Sequence, residues 1–384
     1  MWLVWLPPVG RCSPVELLTQ FGRVTAAVPV VSPPLWPYTK GAAMRIVGVT
    51  GGVDTHADTH VAAAIDDNGG LLSVESFGAD QAGFEELLAW LVGLGDLSSV
   101  GVEGTGSWGV GLARYLADHN VMVVEVDRPN RQVRRKVGKS DPTDAVSAAR
   151  AALSGVATTT PKSRNGTVEQ MRVLLVARRS ARQQRIQTLN QLRHLVFTGP
   201  ESIRVRFKDR YKTGLVTEAA NMRPRQGSDP IIFTTNTVIR GLARRIQNLN
   251  TEVKTIDGAL IGLIENTAPS LLELHGVGVD TAASLLVAAG DNPDRIGSER
   301  SWAHLCGVTP IPASSGKVTR HRLNRGGDRQ ANAALHRIVL TRMSSHPETK
   351  TYVNRRRAEG LNTAEIMRCL KRYVARQTFK HLAV

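Results

Sequence analysis

From Arg45 onward the chain breaks into short apolar runs separated by Gly, Asp and Asn, and this spacing limits the fold more than any other feature. Ile46–Thr55, His60–Ile65 and Leu71–Phe77 have the length of strands, the last two joined by the turn Asp66-Asp67-Asn68-Gly69-Gly70. A helix follows over Gln81–Val92, with Phe84, Leu87, Leu88 and Leu91 on one face. Ser99–Glu103 then predicts a strand, Trp108–Asp118 a helix and Val121–Val126 a fifth strand. Three hairpin-like strands followed by strand, helix, strand and helix imply a mixed α/β sheet.

That order, which is also that of ribonuclease H-like domains, makes four acids informative. Asp54 lies near the end of the first strand and Glu103 at the end of the fourth, and sites in open α/β sheets gather at carboxyl ends of strands. The run Lys139-Ser140-Asp141-Pro142-Thr143-Asp144-Ala145 predicts a helix start with Asp141 as N-cap and Pro142 as first helical residue. Asp144, three residues on, shares a face with Asp141. Each acid alone is accounted for as a cap or a surface charge. Together they suit a hard divalent cation, which prefers oxygen ligands. The basic run Arg128, Arg131, Arg134, Arg135, Lys136 and Lys139 just before them suits a phosphate backbone.

The charge balance points the same way. The 384 residues carry a net +16, and from Lys317 to the end there are 16 Lys and Arg against 4 Asp and Glu, a net of +12. Such a balance favours a polyanion, either nucleic acid or an anionic membrane surface. No run of about 18 apolar residues argues for a membrane span, and three scattered cysteines (Cys12, Cys306, Cys369) argue for neither a disulfide framework nor a zinc site. A reducing cytoplasm fits best. Residues 1–43 contain seven prolines, little charge and no sustained period, so we expect a disordered or mis-started extension with the true start near Met44.

Beyond the sheet, Thr167–Phe197 and Ile231–Leu274 predict two long amphipathic helices, either an antiparallel coiled coil or two ordinary bundle helices. Arg172, Arg178, Arg179, Arg182, Arg185 and Arg193 make the first of them basic enough to face nucleic acid, or merely solvated. Leu274-His275-Gly276-Val277-Gly278 before the small-residue helix Asp280–Ala289 is either a simple turn or a helix-hairpin-helix element, in which Gly276 and Gly278 would offer backbone N–H groups to a phosphate. The loop from Leu305 to Lys317 holds Ser314 and Ser315 and opens the most basic stretch, with Lys317, Arg320, Arg322 and Arg325.

These residues resemble a family, the insertion-sequence transposases with an Asp-Glu-Asp-Asp RuvC-like domain and a C-terminal serine transposase domain, the bridge-RNA-guided recombinases. The first half resembles it through Gly52-Val53-Asp54, Val102-Glu103-Gly104 and the Lys139–Ala145 run. The second does so through Gly276-Val277-Gly278, Gly307-Val308-Thr309-Pro310, Ser315-Gly316-Lys317 and Asn324-Arg325-Gly326-Gly327-Asp328. The resemblance implies a RuvC-like domain over 44–160, a coiled-coil region over 161–270 and a mainly α transposase domain over 271–384. It implies that Asp54, Glu103, Asp141 and Asp144 hold Mg²⁺ and that Ser315, with Ser314 as the alternative, joins covalently to DNA. It further implies DNA and a guide RNA as partners, a homo-oligomer without membrane attachment, and a bacterial cytoplasmic, nucleoid-associated place of action. Gly326-Gly327-Asp328-Arg329-Gln330 departs from the more basic run usual there. Two other readings compete: a metal-dependent nuclease of the Holliday-junction-resolving kind without a covalent serine, and a non-catalytic nucleic-acid-binding protein.

Overall fold

The computed structural model describes residues 47–126, 140–208, 210, 212–227, 229–316 and 321–382. The 1–43 extension lies outside them. The first half is a five-stranded mixed sheet with helices on both faces. It runs β1 (Gly48–Thr55), β2 (Thr59–Asp66), β3 (Leu71–Gly78), α1 (Gln81–Leu94), β4 (Asp96–Glu103), α2 (Val110–Asp118), β5 (Val123–Val126) and α3 (Asp141–Leu153). Strand order is β3-β2-β1-β4-β5. β1 to β3 pair antiparallel, and β4 and β5 join parallel to β1. The β2–β3 turn is set locally: Asp66 Oδ1 accepts from the N–H groups of Asn68 and Gly70, both at 2.8 Å, while Gly69 takes a positive φ.

Side chains alternate between the two faces of a strand, and here each face has its own work. Val49 and Val53 of β1, with Val100 and Val102 of β4, meet Leu87 and Leu91 of α1 and Leu112 and Leu116 of α2. Each fully buried leucine contributes about 1.5–3 kcal/mol of transfer free energy. On the opposite face the strands carry glycine where α3 crosses. A Cβ on Gly52 would sit 2.1 Å from the Ala149 nitrogen, and one on Gly101 would sit 2.5 Å from the Ala148 carbonyl oxygen. Helix α3 answers with the buried small residues Ala145, Ala148 and Ala149, so its backbone lies directly on β1 and β4.

The second half is mostly helical. It comprises α4 (Thr167–Thr198), α5 (Glu201–Phe207), α6 (Lys212–Ala220), α7 (Pro230–Thr267), α8 (Ser270–Glu273), α9 (Val279–Ala289), α10 (Glu299–Leu305), the short hairpin β6 (Ile311–Pro312) and β7 (His321–Arg322), α11 (Arg329–Ser345), α12 (Pro347–Ala358) and α13 (Thr363–Phe379). The long helices α4 and α7 pair antiparallel, for Arg178 meets Asp257 while Arg185 meets Asn250. The second long helix stops at Thr267 instead of reaching Leu274. Pro269 lacks an N–H and pushes Ala268 out of helical geometry, to φ −152° and ψ 63°.

One end of this helical pair is closed by Ile203, Phe207 and Leu215 of α5 and α6 against Leu192 and Ile239. The other end enters a larger core, where Met171, Leu175, Leu260 and Ile264 meet Leu285, Trp302, Leu335 and Ile366. Arg178 locks that junction. Its guanidinium donates to Asp257 at 2.5 Å and to Asp280 at 2.7 Å, and Arg337 also bonds Asp280. Arg178 is therefore a buried structural cation and not part of a nucleic-acid face. Arg172 is held by Glu169, whereas Arg193 is exposed.

A strap between α3 and α4 ties the two halves. Its Thr159 carbonyl accepts from Glu125 N–H of β5 at 2.7 Å, and its Pro161 carbonyl accepts from Asn292 Nδ2 at 2.8 Å. Among the described residues no helix is long and apolar enough to cross a membrane.

Candidate functional site

The acids come to one place because of how β1, β4 and α3 are built. Asp54 follows Gly52 by two residues on β1, and Glu103 follows Gly101 by two on β4, so both acids emerge on the face that α3 covers. Parallel pairing runs through Val53 and Val102, which sets the next residues, Asp54 and Glu103, side by side at the strand ends. Thr55 Oγ1 donates to the Glu103 carbonyl at 2.9 Å and fastens those ends together. Gly104 then turns the chain away at φ 74°.

Helix α3 delivers the other pair from its first turn. The expected N-cap is displaced by one residue: Ser140, extended at φ −147° and ψ 146°, is the cap, and its hydroxyl bonds Thr143 Oγ1 at 2.7 Å. Asp141 is thereby freed from capping. Its carboxylate lies 3.5 Å from His56 Nε2, and Asp54 Oδ2 lies 3.3 Å from the same nitrogen. One ligand atom each from Asp54, His56 and Asp141 falls within 4.8 Å of the others. Asp144, 2% exposed, lies one turn further along the same helix face, and Glu103 on the neighbouring strand end; neither belongs to that tight group.

His56 is the residue that sequence reasoning missed. It stands two residues past Asp54, in the β1–β2 turn, where its N–H bonds the Thr59 carbonyl at 3.2 Å. The only sequence signal is an Asp-Thr-His step at a strand end. Nε2 of His56 is shielded from solvent, and neither carboxylate stands in line to hydrogen-bond it. A nitrogen set between two carboxylate oxygens without a hydrogen bond fits a shared divalent cation. The residues present therefore suit such an ion.

The other expected residues are spread over the helical half. Ser315 is exposed in the connection between β6 and β7, on a different element from the acids. Arg322, on β7, and Arg325 are exposed. Arg131, Arg134, Arg135, Lys139, Lys317 and Arg320 lie outside the described residues. Gly276 takes φ 82° and comes close to α11, a Cβ there lying 3.1 Å from the Ile338 carbonyl. The Val277 N–H bonds the Leu274 carbonyl at 2.9 Å and the Gly278 N–H bonds Thr281 Oγ1 at 2.9 Å. This turn uses those two donors internally. Asp328, where the run departs from the usual basic pattern, caps α11 by accepting from Gln330 and Ala331 N–H groups.

Comparison with known proteins follows this division. A transposase family model matches residues 51–198, the sheet with α3 and α4. A second, described as the transposase IS116/IS110/IS902 family, matches residues 268–354. The chain is 30% identical over 149 residues to the 43.6 kDa protein of insertion element IS110 from Streptomyces coelicolor, a stretch covering 37% of this chain and 36% of that protein. It is 27% identical over 139 residues to the 42 kDa protein of insertion element IS900 from Mycobacterium paratuberculosis, covering 35% of each. The aligned stretch thus spans about a third of the length of these relatives. With two family models matched in order, one over the acidic sheet and one over the serine-bearing helical half, the chain belongs to the IS110-type insertion-sequence transposases.

Proposed function

We propose that this chain cuts and rejoins DNA when an insertion sequence moves, with Mg²⁺ held at the acids of a ribonuclease H-like sheet and Ser315 as the covalent nucleophile. The observation that carries the reading is the convergence of Asp54, His56 and Asp141 at the ends of β1 and α3. Glu103 and Asp144 complete the ligand set from the adjacent strand and the next helical turn. A bound divalent ion would offset charge on the phosphoryl oxygens and favour deprotonation of an attacking oxygen.

The chain's own residues supply the rest. Attack forms an Oγ–P bond between Ser315 and a DNA phosphate and breaks one P–O bond of the backbone. The Ser315 proton passes to a base, and the departing DNA oxygen takes up a proton. The reverse displacement, by the hydroxyl of another strand, rejoins DNA and restores serine without loss of phosphodiester energy. Cations near the hairpin, Arg322 and Arg325 among them, offset charge that develops on the phosphate.

Ser315 and the acids lie on different elements, and on this reading the working site forms when domain 271–384 meets domain 44–160, between subunits of a homo-oligomer on DNA. Residues 161–270, with the helical pair, space the two. A guide RNA that pairs with DNA would leave sequence choice to base pairing.

The test is a denaturing gel for a protein–DNA adduct on element-end DNA. Wild type should give the adduct, Ser315→Ala should bind nucleic acid yet give none, and a mixture of Ser315→Ala with Asp144→Ala should restore part of it. An adduct retained by Ser315→Ala and lost in Ser314→Ala moves the role one residue back. Cleavage without any adduct in wild type overturns the serine step and supports a resolvase-like nuclease.

A further inference from the structure

A cleft of about 600 Å³ lies between the base of the β6–β7 hairpin and helix α13. None of the acids and neither serine lines it, although Arg322 does, and α13 lies beyond the residues matched by either family model. Arg368, Arg372 and Arg376 recur every four residues on α13, so they rise along one face at about 6 Å intervals, with Lys371 beside them. Arg322 of β7 faces them from the other wall.

The cations outnumber the carboxylates that could neutralise them. Glu299 holds Arg372 through a bidentate pair, and Glu365 approaches Arg368 only to 3.9 Å. Lys371 has an amide partner instead, donating to Asn332 Oδ1 at 3.0 Å. Burial, and then the neighbouring Arg368, lower its pKa, as expected for an ammonium that lacks a counter-anion. Among the described residues, five cations of the cleft meet two carboxylates, which leaves it in want of anions. The cleft also displays apolar surface, since Tyr373 is 49% exposed on α13 and Leu323 is 56% exposed opposite. Basic side chains interleaved with an exposed aromatic ring fit a strand whose bases are unpaired, because a duplex hides its base faces.

We propose that this cleft binds a single-stranded segment of nucleic acid, its backbone along Arg368, Lys371 and Arg376 and a base stacked on Tyr373. The proposal rests on the reading that the chain handles nucleic acid, but not on Ser315 or on the acids.

Binding of the full chain to fluorescein-labelled dT20, rU20 and a 20-base-pair DNA duplex, read by fluorescence anisotropy in EDTA, tests it apart from catalysis. Tyr373→Ala should weaken single-strand binding roughly ten-fold, and Tyr373→Phe should restore it. The double variant Lys371→Gln, Arg376→Gln should lower the slope of log affinity against log salt by about 1.4 for single strands. Whichever of dT20 and rU20 loses more identifies the strand. Unchanged single-strand affinity in Tyr373→Ala, with its thermal stability preserved, overturns the proposal. So does an equal loss on the duplex, which would make the cleft a general backbone surface. Loss of the covalent adduct without change in these affinities would bear on the serine reading alone.

Discussion

Gly52 and Gly101 decide whether the acids can meet. Each sits two residues before an acid, and each has helix backbone where a Cβ would go. Gly52→Ala forces α3 away from β1, because the obstacle at 2.1 Å is main chain and not a flexible side-chain end. Such overpacking costs about 1–3 kcal/mol. We expect urea denaturation to show that loss together with weaker metal binding, since Asp141 and Asp144 ride on α3. Unchanged stability would mean that α3 does not lie flush on the sheet. The acids themselves could be singled out from the sequence, because strand ends and a Pro-marked helix start show in residue types. The glycines' role could not, since it depends on which face of β1 meets which helix. His56 escaped notice for a related reason: a lone histidine in a turn has no periodicity, and its place between two carboxylates comes from strand β1 meeting helix α3.

At the scale of elements, the first-half strands and helices could be read from period and turn chemistry, with ends shifted by a few residues. The end of α7 was also readable in principle, because Pro269 stands in the sequence and outweighs the apolar period running on to Leu274. The strap between α3 and α4 carried no such signal, having no period, yet it joins the halves. In it Lys162 is half-buried, its ammonium donating to the Val287 carbonyl at 2.6 Å. Burial, reinforced by the nearby Arg295 guanidinium, brings its pKa down to about 8. An unfolded lysine keeps its proton to about pH 10.4. Between these values the unfolded chain binds more protons, so this group makes the fold more stable as pH rises from about 8 toward 10. Below about pH 8 lysine is charged in both states and its contribution is flat. Lys162→Met should remove that rise, as measured by urea midpoints across the pH range. An identical pH dependence in variant and wild type would mean that Lys162 is not desolvated in the strap.

Over the whole molecule, one chain carries the two groups of candidate site residues on separate supports. The sheet gathers acids, and the helical half carries the serine hairpin and most of the surplus positive charge; family models match the two parts separately. The total charge showed in composition, but where it collects did not, because the cleft is made by α13 folding back beside a hairpin some fifty residues earlier. We propose that Asp54, Glu103, Asp141 and Asp144, with His56, form one divalent-metal site. Mn²⁺ is the probe that reports on it directly, being paramagnetic and suited to mixed carboxylate and imidazole ligands. Titration of the full chain with Mn²⁺, followed by the electron paramagnetic resonance of free ion, should show saturable binding in wild type and in Ser315→Ala. Binding should weaken at least ten-fold in Asp54→Asn, Asp144→Asn and His56→Ala. Wild type that leaves Mn²⁺ free, or identical binding in all five proteins, would mean that these residues hold no shared ion.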